Sequence, residues 1–418
     1  MAEKTETFLS DGPFQPIRPW SSFLIRDFRF VWIAILCAST SMQMRNVASL
    51  YQVYHLSGSS MQLGITGFFQ ALPFVCFGLL GGVLADTFNR KKMMISTQVL
   101  NLIPGIILAI LTGSGHIRVW HINVLSLITS SLQVLGSPAR QAIVPSLIPP
   151  GLLLNAVTLT TIMQQGTQLT GPVLAGYLID FVGLDKAYYC DAALIVPSIV
   201  CVFLIKSSGQ PQGGRRQITL HSLIEGFEFL WHTRIILSLF VLDFFAVLVG
   251  YYRPILPIFA SDVFKVSAGG LGALYAAPAI GAMIGSALVL AAGNLKRQGA
   301  VAVIATGGFA LGLGFLGLSK LFWVGLLAVG ALGFSDAISV AIRRTMVQYL
   351  APDQMRGRAS SFLTVFAQTT NALGAVIAGA AAALVGASNA VLLGSVLCSL
   401  TIIGVCWAIP QLWAYRSE

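Results

Sequence analysis

Apolar stretches of about twenty residues alternate along the chain with short polar connections. This pattern is typical of helices that cross a bilayer, because about twenty helical residues span its hydrocarbon core. A helix also satisfies its own backbone hydrogen bonds there. The pattern predicts twelve spans, at residues 30–54, 61–84, 92–113, 118–138, 155–181, 187–206, 234–259, 269–292, 298–318, 321–342, 359–385 and 388–410.

The longest polar connection lies between the sixth and seventh spans and divides the chain six and six. We therefore expect six-helix halves at 30–206 and 234–412, a cytoplasmic N-terminal segment at 1–29, a cytoplasmic linker at 207–233 and a tail at 413–418. The second part of the linker predicts an amphipathic helix on the membrane surface. Its apolar positions recur at helical spacing: Leu220, Leu223, Ile224, Phe227, Leu230 and Trp231.

Composition supports an all-α membrane protein. Of 418 residues, only 10% are charged and 56% are hydrophobic, and the mean hydropathy is +0.81. A soluble chain is about 25% charged, so a soluble enzyme is excluded. The five histidines and six cysteines show no metal-ligand spacing, which predicts neither a metal nor a cofactor, and the cysteines are expected to pack as small apolar residues.

The basic residues fall mainly on one side of the predicted membrane. Of the 25 lysines and arginines, nineteen lie in segments on the side of the N-terminus, four lie on the other side, and Arg45 and Arg253 lie inside spans. The positive-inside rule then places both termini in the cytoplasm of a multi-pass plasma-membrane protein. The net charge of +10 therefore reflects the topology of the chain, and we expect no nucleic-acid partner.

The two halves repeat one another. Arg140 aligns with Arg343 at an offset of 203, and the same offset lays GPVLAG at 171–176 on GAVIAG at 374–379. Because each half has an even number of spans, the repeats share one orientation and are related by an axis along the membrane normal. This arrangement predicts a binding site between the halves, near the midplane.

The loop between spans two and three reads GVLADTFNRKK at 82–92 and places Gly82, Asp86, Arg90 and Lys91 in a fixed spacing. It resembles the signature G-x-L-A-D-x-x-x-R-K of the major facilitator superfamily. The resemblance implies the major facilitator fold, transport by alternating access, and a gating role for these four residues. The alternative is a basic cytoplasmic loop with one solvated aspartate.

Gly171, Pro172 and Gly176 on span five form an element similar to the G-P-x-x-[GA]-G motif of antiporters in this superfamily. The resemblance implies a kinkable packing surface and exchange of substrate for another solute. Ordinary packing of a glycine-rich helix pair would give the same pattern. The Arg and Gln-Gly signature of proton antiporters on span four is absent, which weakens the proton assignment.

Two further segments, YQVYHLSGS at 51–59 and Arg356-Gly357-Arg358, resemble a branch of bacterial exporters related to the enterobactin exporter and to macrolide efflux pumps. The resemblance implies a monomer in membrane lipid that exports a siderophore-like molecule or a hydrophobic natural product or drug in exchange for protons. The alternatives are an importer or uniporter on the same fold, or a non-transporting receptor or lipid flippase.

Charged side chains inside the membrane are costly and usually functional. Arg45 and Arg253 match at an offset of 208 and so lie at one depth, where they attract an anionic substrate, pair with Asp243 or snorkel outward. Asp243 itself is either a proton carrier or a fixed partner of an arginine or of a helix end. Asp336, the repeat equivalent of Gln133, is expected at an inner gate.

Uncharged polar residues at helical spacing are candidates for the lining of a cavity. Each is equally well explained as a hydrogen-bonding contact between helices. With nearby aromatic residues, they would form an amphipathic pocket for a bulky ligand. The candidates are Gln43, Asn46, Gln98, Asn101, Gln164, Gln168, Gln368 and Asn371, with Tyr51, Phe68, Phe69 and Tyr275.

Overall fold

The computed structural model describes residues 19–207, 210, 234–293, 297–350 and 352–409. The side chains at 79–83, 85–86, 234–236, 350 and 353–363 are not described. The amphipathic helix predicted within 207–233, the tail at 413–418 and the first part of the segment 1–29 lie outside the described residues.

Twelve long helices make up the described chain, joined by short connections. Ten of the twelve are long and apolar enough to cross a membrane, so the prediction of an all-α membrane protein is confirmed. The helices are α1 Arg26–Ser57, α2 Ser60–Thr87, α3 Arg90–Gly113, α4 Val119–Leu147, α5 Leu153–Val182, α6 Leu184–Leu204, α7 Arg234–Gly250, α8 Ala268–Ala292, α9 Gln298–Leu318, α10 Phe322–Leu350, α11 Asp353–Val385 and α12 Ala387–Ala408.

Helices α1 and α5 are the two that fall outside the apolar class. Helix α1 begins with Arg26, Asp27 and Arg29 and contains Arg45. Helix α5 carries a run of threonines and glutamines between residues 158 and 170. Their polarity has a structural reason, because both helices contribute side chains to the interior described below.

The short connections make successive helices antiparallel, so the bundle has two faces. The near face is the one at which α1 begins and α12 ends, and the far face is the opposite one. Helices α1–α6 pack together as one group, the N-terminal group, and α7–α12 pack together as the C-terminal group. Between the groups, α2 packs along α11 and α5 packs along α8.

Glycines bring the two groups together at the far face. A Cβ on Gly64 of α2 would lie 2.8 Å from the carbonyl oxygen of Ala375 on α11, and one on Gly379 would lie 2.6 Å from Gly64 Cα. On the other pair, a Cβ on Gly176 of α5 would lie 2.4 Å from the carbonyl oxygen of Ala268. Backbones this close leave no room for a side chain, as in other small-residue helix contacts.

The close glycine approaches described above lie in the far halves of these helices. Toward the near face, the glycines of the same two helices have free space around them, since nothing lies within 4 Å of a Cβ placed on Gly78 of α2 or Gly166 of α5. The bundle is therefore closed at the far face, and it opens toward the near face.

Replacing Gly64 with alanine should weaken the far-face closure, because the new methyl group meets backbone atoms of α11 that cannot rotate away. We expect longer distances between spin labels at residues 114 and 320, which lie in far-face connections of different groups, in a variant without the six native cysteines. Gly78→Ala, on the open part of the same helix, is the matched control. Equal distances in both variants would contradict a closure held by backbone contact.

Candidate functional site

A cavity of about 950 Å³, including its open mouth, lies between the two groups. Helices α1, α2, α4, α5, α8 and α11 line it, together with the segment that follows α7. Most of its polar groups are amides and phenols, which donate and accept hydrogen bonds without a formal charge. The polar lining residues are Gln43, Asn46, Gln70, Ser130, Gln133, Gln168, Tyr251, Arg253, Tyr275, Gln368 and Asn371.

Several residues singled out from the sequence meet in this cavity. Gln133, Gln168, Asn371 and Arg253 line it, as does Pro172 of the GPVLAG element. Four other cavity candidates also reach it: Gln43, Asn46, Tyr275 and Gln368. Sequence reasoning did not single out two lining residues, Gln70 and Tyr251, because a lone glutamine or tyrosine in a span carries no distinctive signal.

Several of the sequence candidates do not line this cavity, namely Arg45, Tyr51, Phe68, Phe69, Gln98, Asn101 and Gln164. Gln98 is buried in the N-terminal group, where neither amide atom has a partner among the described residues. Asn101 binds Arg45, and Arg45 itself is buried. Tyr51 packs against the apolar core near the far end of α1 and stacks loosely on His55.

The seventh span is broken where it meets the cavity, whereas the sequence predicted a continuous helix over 234–259. Helix α7 ends at Gly250, and after two non-helical residues a 3₁₀ turn at Arg253–Ile255 leads into a short helical and π-helical stretch that ends at Val263. Proline has no backbone N–H. Pro254 and Pro257 therefore remove two donors from the helical hydrogen-bond ladder, which accounts for the break.

A tyrosine from α8 replaces one of these missing donors. In a continuous helix, the carbonyl of Arg253 would accept a hydrogen bond from residue 257, which is a proline. Tyr275 Oη instead donates to this carbonyl at 2.8 Å. The contact fixes the backbone of Arg253, whose side chain is exposed to the cavity that it lines.

A buried ion pair ties the N-terminal group together. Arg45 Nε on α1 lies 2.6 Å from Asp191 Oδ2 on α6, and the side chains are only 4% and 1% exposed. Arg45 Nη1 also donates to Asn101 Oδ1 on α3 at 2.7 Å and to Thr129 Oγ1 on α4 at 3.3 Å. Ser41 donates to the second oxygen of Asp191. One guanidinium thus joins four helices.

This position of Arg45 differs from each of the sequence-based alternatives. It neither faces the cavity beside Arg253, nor pairs with Asp243, nor extends to the membrane surface. The reason is Asp191, which lies in an apolar stretch of span six much as Asp243 does in span seven and could have been noticed by the same signal. Gly105 of α3 makes room for the pair, since a Cβ there would lie 2.8 Å from Arg45 Nη2.

Asp243 has a different partner from those expected. It forms an ion pair with Arg343 of α10, whose side chain is 11% exposed, while that of Asp243 is 17% exposed. Arg343 is the repeat equivalent of Arg140, which donates to the backbone carbonyl of Gln133 at 3.3 Å. Among the described residues, each group thus shows one interior ion pair, and the two pairs use different positions of the repeat.

Asp336 of α10 is exposed, although it lies in the interior of the bundle. On the helical wheel of α10 it shares a face with Arg343, opposite the exposed Leu327. It interacts electrostatically with Arg253 and Arg344. In the described part of the chain, however, it makes no ion pair or hydrogen bond. Asp336 is thus an accessible interior carboxylate without a fixed partner.

Two basic residues at the start of α3, Arg90 and Lys91, make contacts at the near face. Lys91 Nζ donates to the carbonyl oxygens of Phe203 at 3.1 Å and Ile205 at 2.6 Å, at the C-terminal end of α6. A cation there complements the helix dipole and binds free carbonyls. Arg90 Nη1 donates to the carbonyl of Ala142 on α4 at 3.1 Å. The side chains of Gly82 and Asp86 lie outside the described residues.

The glycines of the GPVLAG element serve two different contacts of α5. A Cβ on Gly171 would lie 2.5 Å from the Cβ of Gln43 on α1, within the N-terminal group. Gly176 instead faces Ala268 and Gly269 of α8 in the other group. Pro172 lies between them, and its carbonyl oxygen would be 2.5 Å from a Cβ on Gly272.

One carboxylate links the groups at the far face, and the sequence analysis did not identify it. Asp180, near the end of α5, accepts hydrogen bonds from the backbone N–H of Ala268 at 3.0 Å and of Gly269 at 2.7 Å, and from Ser267 Oγ at 2.7 Å. It therefore caps the N-terminus of α8 from the other group. Tyr54 Oη of α1 adds a second link to Asp262.

Comparison with known proteins gives a family match over nearly the whole chain. The family model described as "Transmembrane secretion effector" matches residues 17–416. The enterobactin exporter EntS of Shigella boydii serotype 18 is 27% identical over 355 residues, which cover 84% of each chain. EntS of Escherichia coli O81 is 26% identical over the same length and coverage.

Solved structures with the same fold are transporters. An inward-facing, unoccupied bacterial homologue of the human lysosomal transporter Spinster has a TM-score of 0.73 at 13% identity, covering 94% of this chain and 99% of that one. A POT family transporter in complex with a thioalcohol-conjugated peptide has a TM-score of 0.74 at 12% identity, with 93% and 96% covered.

Replacing Asp191 with asparagine should destabilise the protein strongly, because it leaves the buried cation of Arg45 without its counter-charge. Breaking a buried ion pair in this way costs about 3–5 kcal/mol. We expect a lower midpoint of thermal unfolding in detergent, followed by tryptophan fluorescence. The double variant Arg45→Gln/Asp191→Asn should recover part of the loss. A double variant no more stable than Asp191→Asn would contradict the ion pair.

Proposed function

The chain belongs to the transmembrane secretion effector family of major facilitator transporters, and we propose that it exports a siderophore-like small molecule by alternating access. Membership of this family agrees with the resemblance of residues 82–92 to the major facilitator signature. It also means that the chain is a transporter and not an enzyme. The observation that carries the proposal is the amide-lined cavity between the groups, closed at the far face and open toward the near face.

We propose that the near face is cytoplasmic and that all twelve helices cross the plasma membrane. The excess of lysine and arginine on the near face supports this orientation. The polar residues of α1 and α5 are directed in part to the cavity and to the Arg45 network, which explains how these helices can cross lipid. In this orientation the cavity receives its substrate from the cytoplasm.

In the export cycle, the far-face contacts break while the near face closes. The contacts that must break are the glycine approaches, the cap of α8 by Asp180 and the bond between Tyr54 and Asp262. They consist of backbone proximity and a few polar bonds, which exchange readily with water. We propose that Gly82, Asp86, Arg90 and Lys91 take part in closing the near face, with Lys91 holding the loop against α6.

A siderophore-like substrate is supported by the lining and by the relatives. Nine glutamines, asparagines and tyrosines among the described lining residues supply donors and acceptors on both groups, for example Gln168 on α5 and Asn371 on α11. The relatives named as enterobactin exporters are 26–27% identical. One chain contains the whole cavity, so we propose that the monomer surrounded by lipid is the transporting unit.

Exchange with protons is the coupling that we propose, with uniport as the alternative. Asp336 suits proton binding better than Asp243 does, because it is accessible and has no fixed partner among the described side chains. Asp243 is held by Arg343. An importer on the same fold would use the same cavity, so direction must come from a transport measurement.

Everted membrane vesicles that contain the protein should accumulate enterobactin when a proton gradient is imposed, and a protonophore should abolish the accumulation. The bulky variant Asn371→Trp should block it by filling the cavity, whereas Tyr349→Trp, at an exposed position of α10, should not. Accumulation in right-side-out vesicles alone would make the protein an importer. Equal uptake without the protein would refute transport of this molecule.

Replacing Asp243 with asparagine should lower stability and transport together, because it leaves Arg343 without its counter-charge in the interior. The charge swap Asp243→Arg/Arg343→Asp should restore part of both, measured as the melting midpoint and as initial rate in vesicles. If Asp243→Asn keeps full stability and loses only gradient-driven transport, Asp243 is the proton carrier and Arg343 is not a structural partner.

A further inference from the structure

The two repeats differ at one position that decides the environment of an arginine. Arg45 and Arg253 are equivalent in the repeat, yet only Arg45 has a bound carboxylate, that of Asp191. Gly183 and Gly386, which precede α6 and α12, align at the offset of 203. The equivalent of Asp191 is therefore Gly394.

Gly394 cannot supply a counter-charge, and the fold leaves no space for one. A Cβ on this glycine would lie 2.4 Å from the carbonyl oxygen of Val249, just before the end of α7. The backbone of the seventh span thus occupies the place that a carboxylate fills in the N-terminal group. Arg253 has no acidic partner within ion-pair distance among the residues the structure describes.

The surroundings of Arg253 place its charge in the cavity. Among the described residues that line the cavity, it is the one with a formal charge. Its backbone is fixed by Tyr275, and Tyr251 lines the wall beside it. Among the described residues, Asp336 is a carboxylate whose charge acts on Arg253, and it is exposed and makes no ion pair there.

Arg253 hydrogen-bonds the side chain of Tyr252 but has no fixed acidic partner among the described residues. Such an arginine in a partly desolvated site binds an anion well, because its planar guanidinium makes charge-assisted hydrogen bonds to acidic oxygens. From the missing counter-charge and the exposure to the cavity, we propose that Arg253 binds an acidic oxygen of the substrate and that the cavity selects organic anions. The inference rests on the proposed function, since it names the substrate class of the same cavity. Asp336 opposes this binding through its negative charge.

Binding of two probes of nearly equal shape tests the proposal. Salicylate carries a carboxylate, whereas salicylamide is its neutral amide. The full chain is placed in nanodiscs of neutral phosphatidylcholine, and the affinity for each probe is measured by isothermal titration calorimetry. Wild type should bind salicylate more tightly than salicylamide by roughly tenfold to a hundredfold, the effect of one charge-assisted hydrogen bond.

Three variants separate a role in binding from a role in folding. Arg253→Gln should remove the preference for salicylate, and Arg253→Lys, which keeps the charge, should retain part of it. Asp336→Asn should increase the preference, because it removes the opposing charge. Arg118→Gln makes the same chemical change at an exposed far-face position and should leave the preference at the wild-type value.

The outcomes are decisive in each case. An unchanged preference in Arg253→Gln, or no preference in wild type, overturns the proposal. A preference that persists in neutral nanodiscs but is lost competitively with phosphatidylglycerol would assign the site to a lipid headgroup and overturn the assignment to soluble organic anions. A wild-type preference without accumulation in vesicles would refute export and leave the anion site standing.

Discussion

A lipid environment supplies no water to interior polar groups, so a buried charge is stable only where the protein itself provides its partners, and this constraint shapes both groups of helices. In the N-terminal group, Arg45 binds Asp191, Asn101 and Thr129 and so joins α1, α3, α4 and α6, while its Nη2 has no hydrogen-bond partner among the described residues. In the C-terminal group, the break after α7 leaves backbone carbonyls to be satisfied by other means, as Tyr275 does for Arg253. The contacts of Arg45 hold the interior of the N-terminal group together, whereas the break after α7 gives the C-terminal group a polar wall of the cavity.

The interface between the groups follows a different rule, since it must form and break. Gly64 against Ala375, and Gly176 against Ala268, bring backbones into contact without interlocking side chains. Asp180 adds a polar bond at the aqueous edge, where water can replace it. Rigid groups with a smooth, small-residue interface can move against each other without repacking their cores, which is the mechanical requirement for opening a cavity to one face at a time.

Much of this architecture could be predicted from the sequence, because hydrophobic periodicity and the repeat offset are local properties of the chain. The offset correctly brought Gln168 and Asn371 to one cavity, and it identified Arg45 and Arg253 as equivalents. Partner choice could not be predicted in the same way. Whether Arg45 binds Asp191 or faces the cavity depends on how α1, α3 and α6 pack, and the cap of α8 by Asp180 depends on contact between distant helices. The break at Pro254 and Pro257 was missed because the hydropathy of the seventh span continues through it.

The exchange of an aspartate for a glycine between the repeats has a consequence for how the two halves use equivalent arginines. The half that keeps Asp191 contains the buried ion pair with Arg45, so substitutions near Arg45 lower the stability of the whole protein. The half with Gly394 has no such pair at the equivalent position, and its interior charges are held elsewhere, by Asp243 and Arg343. The duplicated fold thus places a buried charge pair at Arg45 in one half and an arginine that lines the cavity at Arg253 in the other.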